Sequence, residues 1–107
     1  MKARILCVDD EMNVLESFRR VLRLKYDLNT ASSAADGIRL IEQNGPYAVI
    51  VSDMRMPETN GVEFLKKARE LAPESIRIML TGYADQDTAI RAINEGEIFR
   101  FLNKPIA

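Results

Sequence analysis

The chain has 107 residues, 47% of them hydrophobic and 29% charged, with 15 basic residues against 16 acidic ones and a formal charge of −1. That composition suits an ordinary globular protein with one hydrophobic core, so a single domain over residues 1–107 is expected. With no histidine and a single cysteine, the chain excludes a histidine general base or triad, a histidine-ligated zinc site and an internal disulfide.

No apolar stretch approaches the ~18 residues of a membrane span, and Met1-Lys2-Ala3-Arg4-Ile5 leads directly into a strand-like segment. A cytoplasmic protein without membrane contact is expected. Ile5-Leu6-Cys7-Val8 is a continuous apolar run that stops at Asp9-Asp10-Glu11, the pattern of a strand buried on both faces. Val14, Leu15, Phe18, Val21 and Leu22 then recur at helical spacing. A short extended piece runs from Asp27 to Ala31, and Ser33 with Asp36 makes a helix-capping pattern ahead of Ile38 and Ile41. Asn44-Gly45-Pro46 ends that helix.

The cycle repeats with Tyr47-Ala48-Val49-Ile50-Val51-Ser52-Asp53, a second apolar strand that closes on an acid. Asn60-Gly61 leads into a helix whose inner side carries Val62, Leu65, Ala68 and Leu71, and Pro73 stops it. Ile76 to Leu80 forms a fourth strand ending at Thr81-Gly82. Asp85 caps a helix with Ala89, Ile90 and Ile93, closed by Gly96, and Ile98 to Leu102 is a fifth strand before Asn103-Lys104-Pro105. Strict alternation of strand and helix, with right-handed crossovers, gives an α/β fold: a doubly wound, five-stranded parallel sheet. Ligands of such sheets sit outside the carboxyl ends of the strands.

Those ends carry Asp9 and Asp10, then Asp53, Thr81 and Lys104. Two unit charges about 4 Å apart repel by ~4 kcal/mol at an effective dielectric near 20, so three clustered carboxylates call for relief. Mg²⁺ supplies it, because it prefers oxygen ligands and has no need of histidine or cysteine. Asp53 then becomes a plausible nucleophile towards phosphorus, with Lys104 as a second cation and the Thr81 hydroxyl as a donor to a phosphoryl oxygen.

Val8-Asp9-Asp10-Glu11, Val51-Ser52-Asp53-Met54-Arg55-Met56-Pro57, Leu80-Thr81-Gly82 and Lys104-Pro105, in that order and at those spacings, resemble the receiver domains of two-component response regulators. The resemblance runs from about residue 4 to residue 106. It implies the flavodoxin-like strand order 2-1-3-4-5. It implies that Asp53 accepts phosphate from a sensor histidine kinase or phosphotransfer protein. Asp10, Asp53 and the Arg55 backbone carbonyl would ligate Mg²⁺, with Asp9 acting through water. Thr81 and Phe101 would be the switch pair, Lys104 the phosphate-contacting lysine, and Lys104-Pro105 a cis peptide. The stretches Leu80–Asp85 and Asn94–Leu102 further resemble receivers attached to cyclic-di-GMP phosphodiesterases or to hydrogenase-type transcriptional regulators.

Plainer readings stand beside these. Asp9 and Asp10 suit a helix N-terminus, Phe101 suits a core, and Cys7 suits inert strand packing. Arg19, Arg20, Arg23 and Lys25 on one helix, and Lys66, Lys67 and Arg69 on another, read as solvated faces, so no direct nucleic-acid contact is expected. Arg55 and Tyr83, two residues after Asp53 and Thr81, are expected to shield an acyl phosphate from water. Receivers generally close with a fifth helix, whereas this chain stops at Ala107. A sheet lacking that helix should expose apolar surface beside the first helix and fifth strand, favouring self-association or an output domain or protein from elsewhere. Alternatives to the switch are an aspartate-nucleophile phosphatase or phosphotransferase, which wants an acid where Arg55 stands, a flavodoxin-type cofactor binder, and a pseudo-receiver that never takes phosphate.

Overall fold

In a computed structural model of the chain, residues 2–56, 59–81, 86–94 and 100–103 are described. The apolar runs become the strands β1 (Arg4–Val8), β2 (Asp27–Ala31), β3 (Val49–Asp53), β4 (Ile76–Thr81) and β5 (Arg100–Asn103). Between them lie α1 (Met12–Leu22), α2 (Ala34–Asn44), α3 (Gly61–Leu71) and α4 (Gln86–Asn94). The strands pair in parallel in the order β2-β1-β3-β4-β5, which is the flavodoxin-like winding expected from the sequence.

Alternation along β1 divides the core. Leu6 and Val8 point to one face with Ile50 and Met79, where α2 and α3 cover them with Ile41, Phe64, Leu65 and Ala68. Ile5 and Cys7 point to the other with Val51 and Leu80, beneath Leu15 of α1. The central strands are therefore buried on both sides, and their unbroken apolar runs follow from that burial. Burying a side chain the size of Phe64 contributes about 1.5–3 kcal/mol. On the α1 face, Val21 is 70% exposed and Leu102 of β5 39%.

Helix entries follow local chemistry. Ser33 Oγ accepts a hydrogen bond from the Asp36 N–H at 3.1 Å, and Asn60 Oδ1 accepts one from the Glu63 N–H at 2.9 Å. Strand β3 starts at Val49 rather than at the expected Tyr47. The reason is that the Tyr47 carbonyl accepts from the Ser75 hydroxyl at 2.6 Å instead of extending the ladder, just after the cis Gly45–Pro46 peptide. The Asp85 cap, the Gly96 stop, residues 98 and 99 of the expected fifth strand and the Lys104-Pro105 peptide lie outside the described residues. Among the described residues, no helix is long and apolar enough to cross a membrane.

Candidate functional site

Parallel pairing brings distant acids to one rim. Val8, the last residue of β1, pairs with Ser52, so Asp9 follows on beside Asp53 at the end of β3. Asp53 in turn pairs with Leu80, which sets Thr81 at the adjacent end of β4. Thr81 pairs with Asn103 of β5, the residue before Lys104. Lys104 itself lies outside the described residues, and Phe101 is described as a position on β5 only.

One carboxylate oxygen from each of Asp9, Asp10, Glu11 and Asp53 lies within 4.8 Å of the others. Asp9 is 1% exposed, Asp53 5% and Thr81 1%, while Asp10 and Glu11 face solvent. Two buried carboxylates in such company are held by the fold against their mutual repulsion. Backbone bonds fix the frame: the Asp9 N–H donates to the Ala31 carbonyl at 3.1 Å and the Met54 N–H to the Leu80 carbonyl at 2.9 Å. The Glu11 N–H donates to Asp9 Oδ1 at 2.9 Å.

The capping reading holds in part, since Asp9 Oδ1 takes the Glu11 N–H at the entry of α1, but it leaves the gathering of all four carboxylates unexplained. The residue at the start of α1 is Glu11, whose own side chain makes no cap hydrogen bond. The donor set is all oxygen, two carboxylates buried and two open to water, which suits a hard divalent cation that keeps part of its hydration. Arg55 is exposed beside the rim, where its carbonyl follows Asp53 by two residues; Tyr83 lies outside the described residues.

Two contributors escape a reading by residue type. Glu11 joins the cluster, and its adjacency to Asp9 and Asp10 was the available signal. Gly61 is closer still: a Cβ there would sit 2.1 Å from the Asp53 carbonyl oxygen, and its N–H donates to the Met54 carbonyl at 2.7 Å. Only a residue without a side chain lets α3 begin against the backbone of Asp53. In the strand below, Cys7 is buried and its thiol is pushed up to about 12 by desolvation and, secondarily, by the charge of Asp9. It stays protonated and unreactive at neutral pH.

Comparison with known proteins matches this arrangement. A family model for the response regulator receiver domain covers residues 5–107. The hydrogenase transcriptional regulatory protein HoxA of Cupriavidus necator is 41% identical over 104 residues, 97% of this chain and 21% of its own length. The chain thus spans about a fifth of that relative's length, and also about a fifth (21%) of HoxA from Bradyrhizobium diazoefficiens, to which it is 37% identical. A crystal structure described as an adenylate cyclase from Rhodopirellula baltica superposes with a TM-score of 0.95 and 42% identity, covering 100% of this chain and 79% of that one. A receiver domain protein from Clostridium thermocellum gives 0.90 and 36%, covering 98% and 84%. Fold, strand-end acids and relatives agree, and the chain belongs to the receiver domains of two-component response regulators.

Proposed function

We propose that Asp53 is the phosphoacceptor of this receiver and that it works with Mg²⁺. The observation that carries the reading is the gathering of four carboxylates, from the ends of β1 and β3, within 4.8 Å. A fold gains nothing from such a cluster by itself, whereas a dication and a phosphoryl group give it a purpose. Asp10, Asp53 and the Arg55 carbonyl would hold the metal, with Asp9 acting through water, and the metal would supply positive charge to neutralise the transferring group.

The donor is a phosphohistidine on a sensor kinase or phosphotransfer protein. An Asp53 carboxylate oxygen attacks phosphorus, the P–N bond breaks, and the departing electron pair stays on the imidazole, which takes up a proton. Thr81, buried at the neighbouring strand end, donates its hydroxyl to a phosphoryl oxygen, and Lys104 supplies a positive charge. Drawing Thr81 inward makes room for Phe101 to turn and biases a two-state surface. Moving such an equilibrium from 1:99 to 99:1 takes about 5.5 kcal/mol of differential interaction. Self-phosphorylation from small donors and self-dephosphorylation are the only chemistry assigned to the chain itself.

The response is delivered by an output domain or protein. HoxA is by name a transcriptional regulator and the Rhodopirellula chain by description a cyclase, so one receiver sequence type serves unlike outputs. The exposed Val21 and Leu102 are the surface assigned to self-association, which concentration-dependent mass in light scattering checks. The function itself is tested with Mg²⁺ and acetyl phosphate. Intact mass should gain one phosphoryl adduct that Asp53→Asn abolishes. Turnover of many equivalents would make the chain a phosphatase, and no adduct at all would make it a pseudo-receiver.

A further inference from the structure

At the opposite end of the sheet from Asp53 lies a groove of about 870 Å³ between the outer flank of α1 and the start of β2. Lys2, Arg4, Arg19, Arg20 and Arg23 line it, against the two acids Glu16 and Asp27. Five cations facing two carboxylates leave a local surplus of three positive charges on a chain whose formal charge is −1. Both acids are already taken. Asp27 pairs with Arg4 at 3.3 Å, and Glu16 pairs with Arg19, whose other terminal nitrogen donates to Thr30 Oγ1 at 2.6 Å. Lys2, Arg20 and Arg23 are exposed and have no ion pair among the described residues.

The wall of the groove adds a second feature. Strand β2 is the edge of the sheet. The Asp27 N–H donates to Ala3, and the Ala31 carbonyl accepts from Asp9. By parity, the backbone groups of Leu28 and Thr30 face away from β1, towards the outer edge of the sheet, where the Leu28 carbonyl accepts from the Asn29 side-chain amide at 3.3 Å. Leu28 and the ring of Tyr26 give the same wall an apolar patch.

We propose that this groove docks an acidic, extended segment of a partner protein. Its carboxylates would meet Lys2, Arg20 and Arg23, and its backbone would run along the edge of β2. An arginine cluster beside an edge strand suits carboxylates on an extended chain. A continuous phosphate backbone suits it less, because Glu16 and Asp27 sit within the groove. Five residue steps along β1 separate Arg4 from Asp9, roughly 16 Å at about 3.3 Å per residue. The groove is therefore separate from the phosphoacceptor rim.

The test is fluorescence anisotropy on the full chain with a short labelled peptide rich in glutamate and carrying one tyrosine. Arg20→Glu/Arg23→Glu serves as the variant, and Arg20→Gln/Arg23→Gln as a milder one should reversal disturb folding. The proposal expects saturable binding that weakens at least ~10-fold in the variants and as salt rises. A labelled single-stranded oligonucleotide should compete poorly, and adduct formation from acetyl phosphate should be unchanged. Absence of binding, affinity indifferent to both variants, or an oligonucleotide that binds more tightly than the peptide overturns it.

Discussion

At the carboxyl end of the sheet, Asp9 and Asp53 are almost wholly buried and share a few ångströms with two further carboxylates. At the amino end, Arg4 and Arg19 each hold a carboxylate of their own in partly open surroundings. Exposed ion pairs of the second kind are ordinary, and each contributes about 0–1 kcal/mol. Buried like charges of the first kind oppose folding, and the proposed Mg²⁺ would offset that repulsion. Surplus sign and burial together, more than charge density, separate the two ends. The three leftover cations of the amino end are a milder case of the same imbalance.

The sharpest way to break this contrast is at Gly61. Its missing Cβ leaves room for the Asp53 carbonyl, so Gly61→Ala forces backbone apart directly beneath the acidic rim. A loss of about 3 kcal/mol in urea unfolding is expected, with adduct formation slowed by roughly 100-fold. Normal phosphorylation kinetics would show that the rim tolerates displacement.

Cys7 reports chiefly how deeply β1 is buried beneath the acidic end, with the charge of Asp9 adding to the effect. Its thiol is raised from 9.0 to about 12, first by burial and then by Asp9. The protonated form is the one the fold favours, so this contribution is intact below pH 9 and is lost as pH climbs towards 12. Relative to Cys7→Ala, the wild-type chain should lose about 1.4 kcal/mol by pH 10, measured by denaturant melts across pH. Parallel pH curves for the two proteins would contradict it.

Asn60→Ala removes the acceptor for the Glu63 N–H at the entry of α3. It should lower stability by ~1 kcal/mol without abolishing the adduct. The smallest effect belongs to the amino end. Glu16→Gln, which dissolves the pair with Arg19, should shift stability by less than about 0.5 kcal/mol. A larger loss there would erase the distinction between the two ends.

Much of this is visible in the chain before any coordinates. The segments Ile5–Val8 and Val49–Ser52 stop at acids, and that abrupt stop locates the rim once parallel pairing is assumed. Strand β2 agrees with its expected bounds, Asp27–Ala31, and its end is marked by Ser32 and the capping Ser33. Tyr47 misleads because its ring has strand-like propensity while its carbonyl is diverted to Ser75. Gly61 reads as a turn residue, and its closeness to Asp53 exists only in three dimensions. Of the basic residues expected on one solvated helix face, Arg20 is exposed on α1, Arg19 is half-buried against Glu16 and Thr30, and Arg23 and Lys25 follow the helix end at Leu22. The groove they form with Lys2 and the start of β2 depends on how β1 and α1 pack.

The central claim is that the acidic rim is unfavourable alone and completed by a dication. Thermal midpoints of the wild-type chain and Asp10→Asn, each in EDTA and in saturating Mg²⁺, test it most directly. Removing one of the four clustered charges should make the variant more stable by about 1 kcal/mol without metal. Mg²⁺ should then reverse the order by stabilising the wild type through binding. If the wild-type chain is the more stable in EDTA, or Mg²⁺ moves both midpoints equally, the account is wrong.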